Sequence, residues 1–220
     1  MKKLALINIG DSPVSGISEE IAVYFQGVEL LQFGILDDLS EQEISKVLYR
    51  GQGDILTVER NDGSFIRLSK QAVHVSIEAA IEKAIHKGCE VCYLHCTGFF
   101  PSLQQNVVLI KPGELLKSVA AQFSKETRIA ILTPTAEHVR QVTEKWEQLQ
   151  CRKVILPVHP LDYDDILPQY ASVLLEQDAV LLDCASYGME FVRNLGNYYK
   201  GVILCPLTMA FAVCAEIAKQ

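Results

Sequence analysis

Two short apolar runs constrain this chain most, because each ends in a thiol and a tight turn. Val91-Cys92-Tyr93-Leu94 leads into His95-Cys96 and then Thr97-Gly98. Ala179-Val180-Leu181-Leu182 leads into Asp183-Cys184 and then Ala185-Ser186-Tyr187-Gly188. A short β-favouring run with no polar alternation is a strand buried on both faces. The glycines and small polar residues that follow break it. Such a strand needs helices above and below it, so the chain is expected to be α/β with parallel sheets.

The remaining segments alternate in the same way. Leu4 to Ile9 reads as a strand closed by Gly10-Asp11-Ser12-Pro13, 17–25 as a helix, and Val28 to Phe33 as a strand. Ser40 caps the next helix, with Glu43 completing a capping box. Two alternating runs within 54–68 flank Asn61-Asp62-Gly63, a hairpin signal. A helix over Ser69–His86 precedes the first thiol strand, and Pro112 opens another that runs to about Phe123. Ile129 to Leu132 then starts a second series. It comprises a helix over Ala136–Leu149, a strand over Lys153–Pro157, a helix over Pro168–Gln177 and the second thiol strand. A helix over Tyr187–Leu195, a strand over Gly201–Cys205 and a helix over Thr208–Lys219 close it. The two series echo each other. The expectation is two pseudo-symmetric lobes with flavodoxin- or Rossmann-like parallel sheets. One spans 1–124 with a β-hairpin insertion near 54–68; the other spans 125–220, its closing helix able to pack on the first lobe.

Composition narrows the function. With 220 residues the chain can bury a substantial core. A formal charge of -7 and the absence of any Lys/Arg run argue against nucleic acid. No apolar run approaches the ~18 residues of a membrane span, and the N-terminus reads as a first strand and not as a signal peptide. Seven cysteines, an odd number mostly in apolar runs, suit reduced thiols in a cytoplasmic protein. Cys89, Cys92, His95 and Cys96 have a metal-like spacing. Strand alternation, however, puts Cys92 and Cys96 on one face and His95 on the other, and no second knuckle follows, so no metal site is expected. Glycine-rich phosphate loops are missing, so no nucleotide is expected, and there is no Gly-x-Ser-x-Gly elbow.

Ligands of parallel sheets lie beyond the carboxyl ends of the strands. The turns there are 10–13, 96–98, 133–135 and 184–188, all small and polar. Helix starts beside them offer N–H groups to an anion and can activate a thiol. Two thiols suit proton transfer at a carbon acid: one thiolate removes a proton from one face, and the other thiol returns one to the opposite face. Cys96 and Cys184 are therefore the candidate catalytic pair. Asp11, Ser12, Thr97, Gly98, Thr133, Thr135, Ser186 and Tyr187 are the candidate substrate-binding residues. Tyr187 could close over a substrate or pack. Asp183 could orient Ser186, tune Cys184 or form a structural turn. His95 could support a thiolate or sit hydrogen-bonded in the interior. His159 reads as a loop histidine, and Trp146 as packing or an oligomer contact.

His95-Cys96-Thr97-Gly98-Phe99-Phe100, Ile131-Leu132-Thr133-Pro134-Thr135 and Leu181-Leu182-Asp183-Cys184-Ala185-Ser186-Tyr187-Gly188 together resemble the AroM family. So do the opening 8–13, the hairpin 55–64 and the region around Trp146. That family is similar to the aspartate/glutamate/hydantoin racemase superfamily. The resemblance implies a cofactor-independent enzyme of two α/β lobes with its site between them. It also implies cysteines matching Cys96 and Cys184, a small carboxylate-bearing metabolite as partner, and a homo-oligomer. Amino-acid racemases carry an Asn after the first thiol where this chain has Thr97. The same scaffold also serves single-cysteine decarboxylases and cis–trans isomerases, and a non-catalytic metabolite binder would fit the residues as well.

Overall fold

The structure, a computed structural model, describes residues 2–14, 16, 17, 21, 24, 27–100, 103 and 106–218. In chain order the elements are β1 (Lys2–Asn8), β2 (Val28–Gly34), α1 (Glu41–Val47), β3 (Ile55–Glu59), β4 (Phe65–Ser69), α2 (His74–His86), β5 (Val91–His95), β6 (Val108–Ile110) and α3 (Pro112–Ala120). There follow β7 (Arg128–Thr133), a 3₁₀ turn (Ala136–His138), α4 (Val139–Lys145), β8 (Arg152–Pro157), α5 (Tyr163–Leu175), β9 (Ala179–Leu182), α6 (Met189–Tyr198), β10 (Val202–Leu204) and α7 (Pro206–Ala218). The helix expected over 17–25 falls largely outside the described residues.

The chain divides into two compact units, 1–111 with 210–220, and 112–209. The first holds a four-stranded sheet in the order β2-β1-β5-β6, and the second holds one in the order β8-β7-β9-β10. Every pairing in both sheets is parallel. Ranked by chain position, both sheets read second, first, third, fourth. The expected α/β class and the repeat of two parallel sheets are therefore observed. The central strands are the uninterrupted apolar runs of the sequence: Leu4–Ile7 and Val91–Leu94 in one unit, Ile129–Leu132 and Ala179–Leu182 in the other, all buried. Edge strands β2, β6, β8 and β10 are more exposed.

The hairpin is present as an antiparallel β3–β4 pair that places Val58 opposite Ile66. Gly63, at φ 80°, supplies the left-handed residue its loop needs. The Ser40–Glu43 capping box is formed in both directions. Three elements differ from expectation. The helix expected over Ala136–Leu149 is a 3₁₀ turn followed by the seven-residue α4. Helix α5 starts at Tyr163, so Pro168 sits inside it, on its exposed side; Asp164 and Asp165 in the first turn favour the earlier start. β6 has only three residues and carries no periodic signal of its own. Among the described residues no helix is long and apolar enough to cross a membrane.

Cys92 and Cys214 are fully buried, and burial pushes both thiols up to about 12. In the unfolded chain such thiols ionise near ~8.5. Below that pH both states hold the proton. Above it the unfolded chain releases protons that the folded chain keeps, so stability is expected to fall as pH rises from about 8.5 towards 12. Urea midpoints at about pH 8 and about pH 10 should show the drop, and a Cys92→Ala/Cys214→Ala variant should flatten it.

Candidate active site

In each unit the first and third strands run side by side, and the connections leave them in opposite directions. That is the point of an open α/β sheet where a ligand crevice forms. Both cysteines of interest follow a third strand, and the polar loops 10–13 and 133–135 follow the first strands.

In the first unit, β1 and β5 pair so that Asn8 lies opposite His95, one residue before Cys96. The Asn8 side-chain amide donates to the Asp11 carbonyl at 2.5 Å, folding the loop over the strand end. Asp37, in the turn after β2, holds the same loop: its carboxylate accepts from the Ser12 N–H (2.8 Å), the Ser12 hydroxyl (2.7 Å) and the Gly34 N–H (2.7 Å). Gly34 has to be glycine here, because a Cβ would lie 2.6 Å from both the Gly10 carbonyl oxygen and the Ser12 nitrogen. The Asp11 carboxylate accepts from Arg60 Nε at 2.6 Å and from the Asn61 N–H at 3.2 Å, which fastens the hairpin loop to the β1 loop.

The thiol of Cys96 is partly exposed, and its sulfur accepts the Gly98 N–H at 3.3 Å. A Cβ at Gly98 would sit 3.0 Å from the Phe100 ring, so the turn that brings this N–H to the sulfur leaves little room for a side chain. Thr97 is buried. His95 pairs through Nδ1 with the Tyr93 hydroxyl at 3.1 Å, and burial pulls its pKa down to about 4. It is neutral at pH 7 and supplies no positive charge to the neighbouring thiol.

The second unit repeats the plan. The Asp183 N–H donates to the Leu132 carbonyl at 2.8 Å, setting the end of β9 against β7. Cys184 is partly exposed, and its sulfur accepts the Ser186 N–H at 3.4 Å. Both candidate thiols thus accept the backbone N–H two residues on. Such a bond favours the thiolate. At Cys184 it is outweighed: burial pushes the thiol up, the Asp183 charge adds to this, and the Ser186 contacts and Lys145 oppose it.

Asp183 is anchored to the helix side of the second unit through its side chain. Its buried carboxylate forms an ion pair with Lys145 and accepts from Trp146 Nε1 at 2.8 Å. Trp146 is therefore a hydrogen-bond donor as well as a core residue. Ser186 is exposed. Tyr187 is fully buried, its hydroxyl donating to the Val158 carbonyl at 2.6 Å and its ring packed on Phe191. It braces the thiol loop from inside and is not placed to close over a ligand. Thr133 is fully buried, and its hydroxyl has no hydrogen-bond partner among the described residues. The Thr135 hydroxyl pairs with His138 Nδ1 at 2.8 Å. His159 pairs with Asp162 at 3.3 Å in the loop after β8.

The AroM protein family matches residues 4–218. The chain belongs to the AroM family. No curated protein matches it in sequence. Among solved structures it is similar to the aspartate racemase of Picrophilus torridus, at 14% identity and TM-score 0.59, covering 100% of this chain and 95% of that one. It is also similar to the glutamate racemase of Aquifex pyrophilus, at 12% identity and TM-score 0.56, covering 98% and 83%. A third likeness is to the maleate isomerase Iso of Pseudomonas putida S16, at 8% identity and TM-score 0.54, covering 99% and 93%. At these identities the likeness is one of fold. This AroM-family chain has a racemase- and isomerase-like scaffold.

Among the described residues, no three or more His, Cys, Asp or Glu side chains are grouped as metal ligands. Three residues that shape the site had no signal in sequence reasoning. Arg60, Asp37 and Lys145 act on partners 49, 25 and 38 positions away, and only the tertiary fold reveals such pairings.

Proposed function

We propose that this AroM-family chain is a cofactor-independent racemase, epimerase or isomerase that uses Cys96 and Cys184 as an acid/base pair. Its substrate is a small carboxylate-bearing molecule with an acidic C–H. The observation that carries the reading is the repeated placement of the thiols. Each follows the third strand of a like-ordered sheet, beside the loop after the first strand, with its sulfur held by the N–H two residues on. In the reaction one thiolate takes the proton, the carbon holds the electron pair as a carbanion conjugated with its carboxylate, and the other thiol returns a proton to the opposite face. Thr133 and Ser186 offer hydroxyls to the carboxylate, and Thr97, Thr135, the Gly98 backbone and the loop that holds Ser12 and Asp11 line its approach. The unpartnered Thr133 hydroxyl is the one most in need of an acceptor or donor. Burial raises the Cys184 thiol above its ordinary range, which suits the proton donor.

Incubation in D₂O with a panel of amino acids, hydantoins, hydroxy acids and diacids tests the reading, with the α-proton followed by NMR. Exchange accompanied by inversion for one member is expected. A wild-type protein whose Cys96 and Cys184 resist thiol reagents, and which exchanges nothing in the panel, would instead fit a metabolite-binding protein.

A further inference from the structure

The first thiol turn depends on a glycine, because the Gly98 N–H is the group that meets the Cys96 sulfur. Glycine has more backbone freedom than any other residue, so this contact needs support from outside the turn. Phe100 supplies it. A Cβ built on Gly98 would lie 3.0 Å from the Phe100 ring and 3.3 Å from the Cys96 sulfur, so ring and thiol crowd the same residue. Phe100 is 3% exposed and belongs to the core of the first unit, against which Cys96 also packs.

The Phe100 backbone is held as well as its ring. Its carbonyl accepts from the Leu103 N–H at 3.2 Å and from Lys111 Nζ at 3.1 Å. Lys111 follows Ile110, which the β5–β6 register sets opposite Tyr93. The strand beside the thiol strand therefore carries the anchor. Lys70 Nζ lies 5.9 Å from the centre of the Phe100 ring, a cation–π contact, and is paired with Asp54 at 2.8 Å. His95, next to Cys96 in sequence, is neutral at pH 7 and adds no charge to the turn. The second thiol has a counterpart to this brace. Tyr187, next to the Ser186 donor, is buried and tied to Val158.

We infer that Phe100 is the positioning residue of Cys96: its ring keeps the Gly98 N–H on the sulfur, and Lys111 keeps Phe100 in place. This rests on the proposed function, in which Cys96 works as a thiolate, since an N–H aimed at sulfur favours the charged form. Iodoacetamide labelling of the full chain from about pH 6 to about pH 10 tests it, with the Cys96 peptide quantified by mass spectrometry. The midpoint of the profile reports the thiolate, and the alkaline plateau reports access. Phe100→Leu keeps both lysine charges. It is expected to raise the midpoint and slow Cys96 labelling at neutral pH about tenfold, with the plateau and the Cys184 profile kept. Lys111→Met should move the midpoint the same way by less. Phe100→Met, which fills the core without a rigid ring, decides the matter if Phe100→Leu does not fold. A midpoint unmoved in the folded Phe100 variant, or a change in the plateau alone, overturns the inference. So does a midpoint that moves only in Lys111→Met, because that would be the loss of a charge. Exchange of C–H protons by the wild type is measured alongside. A raised midpoint without exchange would leave Phe100 as the brace of a reactive thiol and remove the isomerase reading. Exchange with unmoved midpoints would do the reverse.

Discussion

A Lys145→Met variant is expected to lose about 3–5 kcal/mol of stability, measured as a shift in urea midpoint with an unchanged slope. The reason lies under the second thiol. The Asp183 side chain is 1% exposed and that of Lys145 is 12% exposed, so neither charge is well solvated. Removing the cation leaves a buried carboxylate with the Trp146 N–H as its remaining side-chain donor among the described contacts. Breaking one half of a buried pair is costly, while replacing both halves with neutral groups costs far less. A Lys145→Met/Asp183→Asn double variant is therefore expected to regain most of the loss. Trp146→Phe drops the N–H and leaves a smaller ring in a fully buried position, costing about 1–3 kcal/mol for the lost donor together with the cost of the cavity. Lys145 is also one of the groups that pull the Cys184 thiol down, against burial and Asp183. Its removal should raise that thiol further, and alkylation of Cys184 at a fixed mildly alkaline pH should slow. Equal stability in the single and double variants would mean that the stranded Asp183 charge is not what destabilises Lys145→Met.

This network also marks where sequence reasoning stopped. The central strands were legible because being covered on both faces forces an uninterrupted apolar run, as in Leu4–Ile7 and Ile129–Leu132. The thiol turns were legible because a strand ending in Cys beside Gly98, or in Cys184 ahead of Gly188, is a local pattern. So was the hairpin, fixed by Asn61-Asp62-Gly63. Asp183 stands next to a candidate thiol, yet its partners sit on a helix whose lysine could equally have been a solvated surface charge. Tyr187 was ambiguous for the same reason: only packing on Phe191 and the bond to Val158 decide which way its ring faces. Short β6 and the start of α5 ahead of Pro168 were missed because their boundaries depend on neighbours, not on periodicity.

Cys96→Ser and Cys184→Ser are each expected to cut inversion of the substrate by about 10²–10⁴, the usual contribution of a positioned acid or base. A serine hydroxyl is too weak an acid to be a thiolate-like base near neutrality, and its volume is close enough to leave the partly exposed turns intact. The two variants should nevertheless differ in solvent exchange. Cys184→Ser keeps Cys96, so only the stereoisomer whose C–H faces that thiolate should exchange its proton for deuterium without inverting. Cys96→Ser keeps Cys184, whose thiol burial holds above the ordinary range. Its exchange should be confined to the opposite stereoisomer and slow at neutral pH. Because the raised value lowers the thiolate fraction, that rate should climb about tenfold per pH unit until the raised value is reached. Thiol alkylation of the same variant gives an independent check, since it should follow the same rise with pH. Either variant inverting substrate at nearly the wild-type rate would remove that cysteine from the reaction and favour a single-thiol enzyme on this scaffold.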